Sequence, residues 1–184
     1  INVAESNSFS VYAQSVGKNM GTLTVTGGSY GAGIGGRNGD RNGSSCGNIT
    51  IHGGSVAATG GDEAAGIGGG VFGSGGNITI NGGTVAASGN MYDQIDGGAQ
   101  NYVVFSFASR QNGGQTYTLQ NADGETVGTW TPANDFTCLV VSSPDLTAGD
   151  YTLWQGDTQL AGTMSDGVGS PGGGRHMGGE APPA

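Results

Sequence analysis

Gly47-Asn48-Ile49-Thr50-Ile51-His52-Gly53-Gly54 and Gly76-Asn77-Ile78-Thr79-Ile80-Asn81-Gly82-Gly83 are almost the same phrase, written 29 positions apart. A looser version, Gly21-Thr22-Leu23-Thr24-Val25-Thr26-Gly27-Gly28, stands 26 positions before the first. A second phrase, Ala-Gly-Ile-Gly-Gly, occurs at Ala32–Gly36 and again at Ala65–Gly69. Self-similarity at a period of roughly 20–50 residues is the signature of a stacked repeat. Successive side chains of a strand face opposite sides. Leu23, Val25, Ile49, Ile51, Ile78 and Ile80 therefore point one way, and Thr24, Thr50 and Thr79 the other. A Gly-Gly corner closes each phrase, and a second short strand follows (Ser55-Val56-Ala57-Ala58, Thr84-Val85-Ala86-Ala87). Ala-Gly-Ile-Gly-Gly supplies a third segment. Three short segments separated by corners predict one coil of a parallel β-solenoid. Coils stacked about 4.8 Å apart would place aliphatics in an inner ladder. Asn48 and Asn77 would then stack at a corner and share side-chain hydrogen bonds.

Composition bounds the alternatives. The chain has 184 residues, of which 41 are Gly, but only 5 are Pro and Gly does not fall at every third place, so collagen is excluded. The regular alternation of β-branched and polar residues argues against disorder. With 5 Lys+Arg against 14 Asp+Glu the formal charge is −9. A nucleic-acid partner needs a basic footprint, so that class is set aside, and an acidic membrane surface with it. No apolar run is long enough for a transmembrane helix. The first residue is Ile1 rather than Met, which reads as a processed product or a piece of a longer protein. Abundant Ser, Thr, Asn and Gly with scarce Lys suits an exported bacterial protein. Cys46 and Cys138 lie in different segments; one disulfide is allowed, and two buried thiols with no bond between them is the favoured alternative.

The chain divides by texture. Residues 1–20 read as an irregular or partial coil and residues 21–100 as the repeat array, with a junction at 91–100. Nine of the thirteen aromatic residues fall within 91–163, which marks a change of core. Asn121-Ala122-Asp123-Gly124 and similar turn signals between β runs predict an antiparallel sheet over 101–163, packed on the last coil. Its aromatics are expected to be mostly core. Residues 164–184 form a Gly/Pro-rich tail with the composition of a linker.

The repeat form Gly-Asn-Ile-Thr-Ile-x-Gly-Gly-Thr-Val, with its Ala-Gly-Ile-Gly-Gly insert, resembles cell-surface proteins of Gram-positive bacteria. The C-terminal text resembles the end of the bacterial carbohydrate-binding domain-containing surface proteins. It includes Phe105-Ser106-Phe107, Thr116-Tyr117-Thr118-Leu119, Thr131-Pro132-Ala133, Phe136 and Val141-Ser142-Ser143-Pro144-Asp145-Leu146. The resemblance spans roughly residues 21–163. It implies a right-handed parallel β-helix that holds calcium and binds acidic plant polysaccharide.

Calcium takes six to eight or so hard oxygen ligands. Asp40, in the loop Arg37–Gly43, and the pair Asp62-Glu63 would converge if those loops stack on successive coils; Asp93 and Asp96 form a second candidate. For sugar, Tyr30, Phe72 and Tyr92 sit where aromatics are otherwise scarce, and Arg37 and Arg41 suit bidentate contacts to uronate carboxylates. The net charge opposes a polyanion, and calcium bridging is the physical way around that repulsion. Catalysis is disfavoured. No paired carboxylates sit on a strand of the array, as a glycosidase would need. The cations available to a lyase are Lys18, Arg37, Arg41, Arg110 and Arg175, and His52 reads as a surface residue. The Thr-rich face at Thr22, Thr24 and Thr26 is similar to ice-binding solenoids, but the phrases at 48–52 and 77–81 do not sustain it. Residues 64–92 carry no charge, so nothing there resists edge pairing, and end-to-end addition into a fibre is the competing role. The expectation is therefore an all-β, extracellular, non-catalytic solenoid module that binds polysaccharide at a bacterial surface. The alternative is a self-assembling subunit of a fibre or surface layer.

Overall fold

The computed structural model describes residues 1–13, 20–39, 45–91 and 95–167. Lys18, Asp40, Arg41, Tyr92, Asp93, Arg175 and the tail beyond residue 167 lie outside the described residues. The solenoid is wound from three walls. Strands β1 (Ser8–Val11), β2 (Thr22–Thr26) and β3 (Ile34–Gly35) form the first coil, and β4 (Asn48–Ile51), β5 (Ser55–Thr59) and β6 (Ile67–Gly68) the second. β7 (Ile78–Ile80) and β8 (Thr84–Gly89) form most of the third, and β9 (Ile95–Gly97) opens another turn. Within each wall the strands pair parallel: β1-β4-β7-β9, β2-β5-β8 and β3-β6. The chain is a parallel β-helix.

The register corrects the textual alignment of the first repeat. Thr22–Thr26 does not stack on Asn48–Ile51. It stacks on the next wall, with Thr24 opposite Ala57 and Ala57 opposite Ala86. The true upper neighbour of Asn48–Ile51 is Ser8–Val11, with Phe9 on Ile49 and Val11 on Ile51. Residues 1–20 thus contribute a full strand of the first coil. Both walls alternate aliphatic and polar residues between glycines, so local text does not distinguish them.

Parity explains the interior. Phe9, Ile49, Ile78 and Ile95 make one inward column, Val11, Ile51 and Ile80 the next, and Val56 and Val85 face them from the second wall. Ile49, Ile51, Ile78 and Ile80 are fully buried, each contributing about 1.5–3 kcal/mol relative to exposure. Asn77 Nδ2 donates to Asn48 Oδ1 at 3.1 Å on the outer surface, the stacked amide pair expected from the repeat. Cys46 and Cys138 are both buried in this core, and no disulfide joins them.

The C-terminal half is antiparallel and packs on the last coil, as expected, and it also joins the solenoid wall edge to edge. Its strands are β10 (Tyr102–Gln111), β11 (Tyr117–Asn121), β12 (Thr126–Trp130), β13 (Phe136–Ser142), β14 (Tyr151–Gln155), β15 (Thr158–Gln159) and β16 (Thr163–Gly167). β13 pairs antiparallel with β8, so the second wall runs on as one six-stranded sheet, β16-β10-β13-β8-β5-β2. An open β8 edge would leave a row of unpaired backbone groups, and β13 satisfies them. The first residues of the segment expected as tail, 164–167, belong to β16, the edge strand of that sheet. A second sheet, β12-β11-β14-β15, covers the outer face of β13 and β10. Between them lies a core of its own, including Phe105, Phe136, Tyr117, Leu119, Leu139 and Leu153, so most aromatics there are core, as expected.

Candidate functional site

The six-stranded sheet has one inner face along the solenoid core and one outer face. The second sheet covers only the β13-β10 half of that outer face. The other half shows short side chains in rows across β2, β5 and β8: Thr22-Ser55-Thr84, Thr24-Ala57-Ala86 and Thr26-Thr59-Ser88. These are hydroxyls and methyls with no long or charged group among them. Ser88 Oγ donates to Thr59 Oγ1 at 3.4 Å, so the rows are linked across strands.

A wall rises from this floor. It is the end of β12 and the segment after it, Gly128-Thr129-Trp130-Thr131-Pro132-Ala133. Together they enclose a groove of about 410 Å³ whose lining carries no charged residue. Trp130 is half-buried. Gly128 lies on the same face of β12, and a Cβ there would come within 2.6 Å of the Trp130 ring, so only glycine leaves room for the indole to lie across the strand. The wall is pinned to the floor by polar contacts. Ala133 N donates to Thr59 Oγ1 at 3.4 Å and Asn134 Nδ2 to the Gly60 carbonyl at 3.0 Å. Thr59 and Ser88 are buried beneath it, so the restored Thr/Ser rows form the floor of a cleft instead of an open flat face.

Along the strand direction the groove opens past Ala133 into a polar recess of about 490 Å³, lined by Ser29, Asp62, Arg110, Asn134 and Asp135 among others. Arg110 Nη1 pairs with Asp62 Oδ1 at 3.3 Å. The pairing of β10 with β13 breaks register between Ser106 and Gln111. Such irregularities re-aim side chains, and this one brings Arg110 to the solenoid. Asp135 Oδ1 accepts from Gly113 N at 2.8 Å. Burial first, and then the Asp135 charge, push the Tyr117 phenol above its ordinary range.

The sequence candidates fall elsewhere. Tyr30 and Phe72 meet at one corner of the solenoid, where Val71 N donates to the Tyr30 carbonyl at 2.9 Å, and the Arg37 backbone lies against Gly70 beside them. Tyr30 is 42 % exposed and Phe72 72 %. Both, with Glu63, hold left-handed φ (62°, 57° and 51°). Each is the third residue of a four-residue turn, as in Gly73 N to Gly70 O at 2.9 Å, a place that favours glycine. The sequence keeps bulky side chains there, held outward.

The acidic loops do not match as expected. Ile34 stacks on Ile67, so the counterpart of Asp62-Glu63 is Ser29-Tyr30, before β3, whereas the Arg37–Gly43 loop follows β3. Asp62 is engaged by Arg110, and the Asp96 carboxylate accepts from Ile78 N at 2.8 Å where β9 slips register against β7. Among the described residues no three His, Cys, Asp or Glu side chains gather to hold a metal. Asp40 and Asp93, with Arg41 and Tyr92, lie outside the described residues. The sequence reading missed Trp130, which looked like core. The Gly-x-Trp spacing on a strand was the available signal, since it leaves a ring uncovered on one side.

A family model of the β-helix repeat matches residues 49–71 and 78–99, which are the second coil and the one after it. Neither the curated proteins nor the solved structures compared with the chain give a match.

Proposed function

We propose that the chain is a non-catalytic β-helix module that binds a polysaccharide outside the cell, with the Trp130 groove as its principal site. The observation that carries this reading is the pairing of an indole wall with an uncharged floor of Thr, Ser and Ala rows. A sugar ring has an apolar face for an aromatic surface and a rim of hydroxyls for short polar side chains. The floor rows repeat at every second residue along the strands, about 6.6 Å, which suits an extended, repetitive ligand over a compact one. The exposed corner of Tyr30 and Phe72 follows directly on Ser29 at the recess, so a long chain leaving the groove has a second aromatic surface within reach.

A fibre subunit has weaker support. End-to-end growth needs parallel edges at both ends, and the widest sheet is already closed after β8 by antiparallel β13. An acidic ligand bridged by calcium remains the role implied by the family resemblance, and chelation separates it from direct binding.

The test is native affinity electrophoresis in gels holding soluble polysaccharides, with Trp130→Ala beside the parent chain. Loss of a desolvated aromatic anchor costs about 2 kcal/mol or more, so retention should fall roughly thirtyfold. Equal retention of the two would remove the groove from the proposal. Release of reducing ends from a retained polymer would replace binding with hydrolysis, since Asp62 and Asp135 both line the recess.

A further inference from the structure

The recess deepens the polysaccharide reading and rests on it. We infer that Asp62, Arg110 and Asp135 act as a charge filter at the mouth of the groove, passing an uncharged chain and holding off a polyuronate. The recess and the groove share Ala133, and the recess is also lined by Gly27, the residue after β2, and by Gly61, two positions past β5. A chain lying along the strands therefore crosses the recess as it leaves the groove. The recess carries two carboxylates and one guanidinium, and that guanidinium is already turned onto Asp62 at 3.3 Å. Asp135 is held in place from both sides: its carboxylate accepts from Gly113 N at 2.8 Å, and its backbone carbonyl accepts from Asn90 Nδ2 at 3.1 Å. The surplus negative charge is thus fixed in the path of the ligand. Nothing in the groove offsets it, because the lining there has no cation.

A uronate about 7 Å from one such carboxylate in water is repelled enough to weaken binding roughly threefold. Removing both carboxylates should strengthen polyuronate binding roughly eightfold at low salt, and salt should erase the gain.

The experiment is affinity electrophoresis in EDTA with hydroxyethylcellulose, arabinoxylan and polygalacturonate gels. The readout is the ratio of polygalacturonate affinity to that for the better uncharged polymer. The parent chain should favour an uncharged polymer, and Asp62→Asn/Asp135→Asn should raise the ratio several-fold. Asp123→Asn/Asp150→Asn makes the same change in net charge outside the groove and should leave the ratio alone. Asp62→Glu keeps the local charge and should keep the parent ratio, which separates charge from a folding defect. Stronger retention of the parent on polygalacturonate, or equal ratios for the two double variants, overturns the filter while leaving polysaccharide binding intact. No retention on any of the three polymers overturns both.

Discussion

Two cysteines at Thr24 and Ala57 should form a disulfide, and two at Thr24 and Thr50 should not. In the structure Thr24 is opposite Ala57 on adjacent parallel strands of one wall, with both side chains outward. Neighbouring strands lie about 4.8 Å apart, inside the Cα separation of roughly 4.4–6.8 Å that a disulfide spans. Thr50 belongs to a different wall, where its neighbours are Ser10 and Thr79. The native thiols are both buried in the solenoid core and do not compete for the new ones. The Thr24–Ala57 bridge closes a loop of 33 positions. Loop-closure entropy puts its stabilisation at about 4 kcal/mol. For a chain of this size each kcal/mol moves the melting temperature by about 2–4 °C, so oxidation should raise it by roughly 8–15 °C. The assay is peptide mapping by mass spectrometry after mild oxidation, with calorimetry of the oxidised and reduced forms. A bridge in Thr24→Cys/Thr50→Cys, with Thr24→Cys/Ala57→Cys left reduced, would restore the textual alignment and dismantle the groove floor.

Two further outcomes test the corner and the core. Phe72→Gly should raise stability by about 0.5–1 kcal/mol, because left-handed φ costs a non-glycine residue about 1–2 kcal/mol and part of the gain is lost to a more flexible unfolded chain. The same change should weaken polysaccharide retention, and a lower melting temperature would show that the ring is packed, not strained. Burial, only partly offset by the Ser106 contact, pushes the Cys138 thiol up from 9.0 to about 11. A raised folded-state value favours the protonated form, so the stability linked to this thiol is intact below pH 9 and is lost progressively as pH rises toward about 11. The loss should not exceed about 3 kcal/mol. Urea midpoints across that range should fall in the parent chain and fall less in Cys138→Ala; identical slopes would remove the thiol as the cause.

Much of the solenoid is legible in the sequence because its information is local. Ile49-Thr50-Ile51 and Ile78-Thr79-Ile80 show period two, Gly-Gly marks the corner, and Ala-Gly-Ile-Gly-Gly marks the third wall, which forms as β3 on β6. The register of the first coil is not local. Phe9 and Leu23 both precede a polar residue and a further aliphatic, and which of them covers Ile49 depends on the intervening loop length, which propensity does not encode. Tyr30, Arg37 and Phe72 were identifiable as aromatic and basic outliers in a Gly-rich array, and the structure brings them to one corner. Trp130 offered only its Gly-x-Trp spacing, because its exposure depends on β12 standing at the edge of the second sheet. The Arg110–Asp62 contact spans 48 positions and relies on a register break that no pattern in β10 announces.

The site follows from how the second wall is completed. A single sheet of β2, β5, β8, β13 and β10 must present one outer face, and the side chains on it change abruptly between β8 and β13. On β8 they are Thr84, Ala86 and Ser88; on β13 they are Leu139 and Val141, which pair with Ser88 and Ala86. The second sheet covers the apolar part and stops there, since covering hydroxyl rows would cost desolvation without apolar gain. The boundary between dry packing and polar floor is therefore set by composition, and β12, as the edge strand of the second sheet, stands along it. A half-covered Trp at that edge is left with one face toward the hydroxyl rows. Adding coils ahead of β2 would lengthen the floor but not the wall, so each chain keeps one indole-lined groove however many repeats it carries.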